Sequence, residues 1–184
     1  MDQPTTDPWI TLFRDAISND VARPLVVALA TVDADGNPHV RNVVCRKFDD
    51  RDGSLWFTSD ARSAKNAQLA AHPVASAACW QAESRQQFRF SGPVSVCNDP
   101  AERQHIWATL KPETRATFAW PAPGTPVVPA STFASTSDDA TPPPNFSVLV
   151  LRPAEVEHLD VTKHPHRRRR WRAANAWRRE ELNP

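Results

Sequence analysis

From Pro24 onward the chain alternates short β-branched runs with turn chemistry, and this alternation constrains the fold more than any other feature. PLVVALATV is followed by DADGNP, HVRNVVCRKF by DDRDGS, and then comes LWFT at 55–58. Runs of this length bounded by Asp, Gly, Asn and Pro read as a β-hairpin with a third strand added to it. Two further runs, 74–81 and 86–96, have the same character, as do NFSVLVLRP and AEVEHLDV after residue 144. The arginine-rich end, HPHRRRRWRAANAWRREELNP, can hold two more strands around a turn near Ala174 and Asn175.

Helices fill the intervals. Trp9, Leu12, Phe13, Ala16 and Ile17 recur at helical spacing behind Asp7-Pro8, which supplies a cap and a first-turn proline. The alanine-rich stretch after Thr58 predicts a helix capped by Ser59 or Asp60 and closed by Pro73. Asp99-Pro100 with Glu102 opens another, running to about Lys111, and a further helical piece spans 113–120. Residues 121–145 hold seven prolines and no hydrophobic period, so they form a loop. Many short strands joined by turns predict a single domain: a mainly antiparallel barrel with flanking helices rather than a βαβ sheet.

Composition narrows the chemistry. The 184 residues carry a formal net charge of +1 and 40% hydrophobic side chains, as ordinary soluble proteins do. The longest apolar run, Leu25 to Val32, is less than half the length of a membrane-spanning helix, and the first ten residues lack the pattern of a secretory signal. A cytoplasmic protein is expected. Cys45, Cys79 and Cys97 are odd in number and widely spaced, so they read as reduced buried thiols. The four glycines are isolated, which excludes a P-loop or a dinucleotide-binding glycine fingerprint and leaves side chains to hold any phosphate.

Cations are candidates for that work. Arg41 and Arg46 lie on the second strand, and Arg62, Ser63 and Lys65 stand at a helix start just after Phe57-Thr58. Guanidinium and ammonium groups, hydroxyls and a helix N-terminus suit a phosphate dianion. The plainer reading is that Arg62 and Lys65 solvate an exposed face. Arg41 and Arg46 are five apart and so point to opposite faces of a regular strand. One ligand reaches both only through a bulge, a strand end or a second subunit.

RNVVCR, WFTSDARSAK, RQQFRFSG and the terminal W-x-x-x-x-L-N-P occur in an order that resembles pyridoxamine 5'-phosphate oxidase and the wider superfamily of FMN-binding split barrels. The resemblance runs from about Pro24 to Pro184, and Arg62-Ser63-x-Lys65, RQQFRFSG and the basic ending also resemble a branch that binds FMN without a settled reaction. It implies a six-stranded antiparallel split β-barrel (a Greek key) that dimerises with itself and binds FMN in the cleft between subunits. It also implies that Arg41, Asn42, Val43, Val44 and Arg46 run along the flavin and its phosphate, and that Phe57 and Thr58 touch the cofactor. By the same resemblance Arg62, Ser63 and Lys65 grip its phosphate, Gln87 hydrogen-bonds its ring system, and Arg168 lies nearby.

Departures fall on the substrate side. The family's Arg-x-His pair becomes His164 and His166, a tryptophan becomes Leu159, and a lysine becomes Arg46. Trp107 and Lys111 correspond loosely to substrate-phosphate residues, with Arg115 in place of a serine. The reading is an FMN-dependent oxidoreductase acting on an unnamed small molecule. Two other classes stand beside it: a non-catalytic flavin or tetrapyrrole-type binding protein, and a nucleic-acid module using the arginine-rich end with Trp171 and Trp177. His158, His164 and His166 lack a third ligand of another type and so make a poor metal site. Most of the seven tryptophans are core residues, although Trp80 and Trp120 could border a flat ligand.

Overall fold

The computed structural model describes residues 7–18 and 24–184; the first six residues, read above for a leader, lie outside the described residues. Helix α1 (Pro8–Ser18) precedes strands β1 (Val26–Val32), β2 (Pro38–Asp49) and β3 (Ser54–Asp60). Helix α2 (Ala64–Ala71) leads to β4 (Val74–Gln81) and β5 (Gln86–Val96), followed by α3 (Pro100–Thr109) and α4 (Pro112–Ala116). Strands β6 (Phe146–Leu151), β7 (Glu155–Asp160), β8 (Arg167–Arg172) and β9 (Glu180–Leu182) complete the chain.

All pairings are antiparallel, and six strands close on themselves in the order β4-β1-β2-β3-β6-β5, with β5 returning to β4. This is the expected split barrel. Strand β5 is shared: Gln86–Ser91 pairs with β7, which carries β8 and β9 outward, whereas Val94–Val96 pairs with β6. Gly92 stands at the changeover, where a Cβ would meet the Arg152 carbonyl oxygen at 2.1 Å.

Alternation places the core. Val27, Leu29, Phe88, Phe90, Leu149 and Leu151 point into the barrel, and α1 closes one end with Trp9, Ile10 and Phe13. Phe13 meets Phe48, Phe88 and Phe90 edge-on at 4.8–4.9 Å. A second core lies outside β3 and β6, where Ile106, Trp107, Leu110 and Phe118 cover Trp56, Val148 and Val150. Covered on both sides, β6 is apolar almost without interruption and buried throughout.

The helix after β3 begins later than the cap residues suggest. Ser59 and Asp60 are taken up by pairing with β6, so the first helical residue is Ala64 and Ser63 stands at the N-cap. The Ser63 hydroxyl donates to the Asp60 carbonyl at 2.7 Å instead of capping an amide. Cys45 and Cys79 are buried thiols, with burial pushing them up to about 11 and about 12 respectively, while Cys97 is half-buried.

Candidate functional site

The barrel comes apart between β2 and β3. Pro38–Val44 pairs with β1, but β2 meets β3 only over Cys45–Asp49, and β3 meanwhile continues along β6 as far as Asp60. The register slips between Cys45 and Lys47, so Arg46 is the extra residue of a bulge. Beyond it one edge of Arg41–Val44 has no partner strand. The Cys45 amide donates to the Leu25 carbonyl at 2.8 Å, so the ladder alternates from there. Arg41 and Val43 turn their backbone groups toward β1; Asn42 and Val44 turn theirs toward the gap.

A cavity of about 700 Å³ fills this gap, bordered by Arg41–Val44, Arg46, Thr58–Asp60 and Lys65. Its far wall is Thr114, Thr117, Phe118 and the proline-rich stretch from Trp120 to Val128, with Phe133. The parity conflict between Arg41 and Arg46 is resolved here, since a ligand lying along an open strand edge can touch side chains of both faces.

The cations bordering the cavity meet neutral partners or none. Arg41 donates to the Thr31 hydroxyl at 2.6 Å, the Leu29 carbonyl at 3.1 Å and the Gln68 side-chain oxygen at 2.9 Å. Lys65 donates to the Ser63 and Ser59 hydroxyls at 2.8 and 3.1 Å. Burial lowers the pKa of both, and Arg41 lowers that of Lys65 further. Arg46 has no hydrogen-bond or ion-pair partner among the described residues, its Nε is buried, and burial lowers its pKa.

Asp60 is the carboxylate of this cavity. Burial pushes its pKa up, but the Arg62 side chain at 2.6 Å, the Arg62 amide and Asn145 at 3.1 Å outweigh that and hold it below the ordinary value. Two clustered cations with neutral partners, a third cation farther along, and a free strand edge between them fit an elongated ligand with a phosphate at one end. FMN has that form.

The candidate residues separate into groups. Arg41, Asn42, Val43, Val44, Arg46, Thr58 and Lys65 border the cavity together, with Ser63 buried beneath Lys65. Phe57 points into the barrel core, because Thr58 takes the opposite parity. Arg62 is turned away, held by Asp60 and by the Trp120 carbonyl at 2.9 Å.

Gln87 and Arg168 border a different pocket of about 160 Å³ with Arg89, Glu157, His158 and Leu159. There Glu157 accepts from Arg168 at 2.6 Å and Arg89 at 2.8 Å. Asn42 links the two regions, since it also lines a shallow groove with Gln87, Val26, Ala28, Ala78 and Trp80.

His164 and His166 are exposed on the β7–β8 connection. Trp107 is buried in the second core and donates to the Asp139 carbonyl at 2.8 Å, while Lys111 is exposed ahead of α4 and borders none of the cavity. Arg115 spends its guanidinium on the carbonyls of Trp107, Ala108 and Asp139. Four more of the tail arginines are paired as well: Arg170 and Arg172 with Glu180, and Arg169 and Arg179 with Glu181.

Apart from Trp120, named above as a border for a flat ligand, the far wall from Thr114 to Phe133 is the part of the site that the sequence pattern does not single out. Its prolines announce a loop and say nothing of what the loop covers.

A family described as pyridoxamine 5'-phosphate oxidase, FMN-binding domain, matches residues 6–98. Pyridoxine/pyridoxamine 5'-phosphate oxidase 2 of Arabidopsis thaliana is 28% identical over 84% of this chain and 83% of its own length. The pyridoxine/pyridoxamine 5'-phosphate oxidase of Azorhizobium caulinodans is 32% identical over 78% of this chain and 71% of its own length. Matches to the proteins of that name from Thermosynechococcus vestitus and Nitrobacter hamburgensis span about half of those proteins, 56% and 49%.

Among solved structures, a pyridoxamine 5'-phosphate oxidase-related, FMN-binding protein from Nostoc punctiforme superposes with a TM-score of 0.88 at 30% identity, covering 98% of this chain and 99% of that one. PhzG from Burkholderia lata, solved with tetrahydrophenazine-1-carboxylic acid, gives 0.81 at 26% identity, covering 100% and 95%. By its sequence and by the barrel that carries the cavity, the chain belongs to the pyridoxamine 5'-phosphate oxidase family of FMN-binding domains.

Proposed function

We propose that this chain is a single-domain, cytoplasmic, homodimeric oxidoreductase that uses FMN to oxidise or reduce a small molecule. The observation that carries the reading is the cavity along the open edge of β2, where Arg41 and Lys65 face only neutral partners. Lys65 and Arg41, with Thr58 and Ser63, would hold the phosphate through charge-assisted bonds. The edge amides and carbonyls of Asn42 and Val44 would orient the ring. When bound, FMN supplies hydride or single-electron chemistry.

Homodimerisation is supported by a surface that is apolar where a strand face open to water should be polar. Val26, Ala28, Ala30 and Val32 of β1 alternate with inward Val27, Leu29 and Thr31, so β1 is apolar on both faces. Trp80 is 52% exposed on the neighbouring strand and Val74 57%. Pairing two copies there would bring Gln87 and Arg168 of the partner subunit toward Asn42, and so to the flavin. His164 and His166, on the connection leading to Arg168, would then border the substrate.

Cytoplasmic location is consistent with the finding that no helix among the described residues is long and apolar enough to cross a membrane.

The test is redox turnover. The FMN-loaded protein, reduced without oxygen, should be reoxidised by an added acceptor, and a panel of small substrates should reduce the oxidised form. A flavoprotein that stays inert to every donor and acceptor is a binding protein and refutes the catalytic reading.

A further inference from the structure

Arg41 is held differently from other arginines of the region. Arg62 and Arg168 each grip a carboxylate, Asp60 and Glu157 respectively, through Nε and Nη2. Arg41 meets no carboxylate among the described residues. Its Nη1 donates to the Leu29 carbonyl and the Thr31 hydroxyl, and its Nη2 donates to Gln68 Oε1. The Thr31 hydroxyl lies 2.7 Å from that same Oε1. An arginine side chain only donates, so hydroxyl and amide both turn oxygen toward it, and the single hydroxyl proton goes to Gln68.

Two oxygens 2.7 Å apart, set against Nη1 and Nη2, imitate the two oxygens of a carboxylate and carry no charge. Of the five N–H groups of a guanidinium, three are spent here, which leaves Nε and one N–H of Nη2. That is the edge with which Arg168 holds Glu157.

The two holders are buried and lie behind the site. Thr31 on β1 is 2% exposed and Gln68 on α2 is 7% exposed; neither borders the cavity, whereas Arg41 does. Val27 and Leu29, the inward neighbours of Thr31 on β1, are apolar, so the barrel wall itself needs no hydroxyl there. Buried polar groups are kept where their hydrogen bonds are met, and these two meet each other and Arg41. Gln68 follows Lys65 by three residues on α2, so one turn of that helix sets both cations.

We propose that Thr31 and Gln68 are positioning residues, a hydroxyl–amide pair standing in the place of a carboxylate, which fixes Arg41 for the flavin phosphate without cancelling its charge. The inference rests on the flavin reading, since FMN supplies the phosphate that the remaining edge of Arg41 would grip. A real carboxylate would hold the guanidinium as firmly and leave less attraction for a second anion.

The test is titration of each variant with FMN and with riboflavin, read as the ratio of the two affinities. Riboflavin has no phosphate, so damage to the fold or to the ring pocket moves both affinities, and a lost phosphate contact moves the ratio. Thr31→Val keeps the shape, removes the hydroxyl and should lower the ratio about fivefold. Thr31→Ser keeps the hydroxyl and should stay within about twofold of the starting protein. Gln68→Glu makes the pair a true carboxylate and should lower the ratio by about tenfold or more. In an Arg41→Met background Thr31→Val should no longer move the ratio, because it acts through Arg41.

A ratio unchanged in Thr31→Val, or lowered as much with Arg41→Met as without it, overturns the inference. So does a Gln68→Glu protein that keeps the starting ratio; if that variant does not fold, the Thr31 variants decide. A starting protein that prefers FMN strongly, with a preference indifferent to Thr31→Val, defeats this inference alone. A starting protein that binds FMN no more tightly than riboflavin defeats the flavin reading and this inference with it.

Discussion

Arg62 is the residue whose removal distinguishes two ways of holding a phosphate. Sequence order places it in the phosphate grip, yet its guanidinium is spent on Asp60 and on the Trp120 carbonyl. If it acts by cancelling the Asp60 charge, Arg62→Ala should weaken FMN binding indirectly, by leaving a bare carboxylate in the cavity wall. A unit charge roughly 8 Å from a phosphate contributes about 0.5 kcal/mol per charge at the dielectric constant of water and about 2 kcal/mol at an effective value of 20.

For one charge on the phosphate the expected loss in FMN affinity is thus about two- to thirtyfold. The double variant Asp60→Asn/Arg62→Ala removes the carboxylate together with its partner and should return the affinity to within about threefold of the starting protein. Equilibrium titration with FMN, followed by flavin fluorescence, measures both. A double variant as weak as Arg62→Ala alone would show that the guanidinium itself grips the phosphate, and would refute the pairing argument.

Lys65→Ala and Arg41→Ala should each raise the FMN dissociation constant by tenfold or more in the same titration, because a hydrogen bond to a charged group contributes about 1.5–3 kcal/mol. Gly92→Ala should destabilise the fold by about 3 kcal/mol, since its Cβ would lie 2.1 Å from the Arg152 carbonyl oxygen and 2.8 Å from the Ala154 amide; urea unfolding reads this, and an unchanged midpoint counts against the β5 crossover. His158 is buried against Phe88 with its pKa pushed down to about 4, first by burial and then by Arg169. The unfolded chain therefore takes up this proton first, so stability contributed by the neutral ring is present above the ordinary value of 6.5 and is lost as pH falls toward about 4. The loss reaches at most about 3 kcal/mol, and His158→Gln should flatten that part of a stability–pH curve.

Most of the barrel was legible because each strand carries its own signal. Val74–Gln81 and Gln86–Val96 are bounded in the structure where alternation and turn residues bound them in the sequence. The late start of α2 was not legible, since Ser59 and Asp60 are good caps locally and only pairing with β6 claims them. The anion site was readable as a set of residue types but not as a set of contacts. Whether Arg62 meets a ligand or Asp60 depends on the Asn145 and Trp120 segments, more than 50 residues away in the chain.

The same limit applies to Trp107, whose indole faces the core formed with Phe118 and Phe146. The conflict between Arg41 and Arg46 was visible as a parity rule. Its resolution, an unpaired edge running into a bulge, belongs to the way β2 and β3 diverge, which no local pattern encodes.

The central claim concerns a cofactor, so the decisive measurement is calorimetric titration of FMN into protein stripped of any bound flavin, with riboflavin as the comparison. The account predicts one FMN per chain, and binding to riboflavin at least a hundredfold weaker because Arg41 and Lys65 then have no phosphate to hold. Equal affinity for the two, or no heat with either, would contradict it.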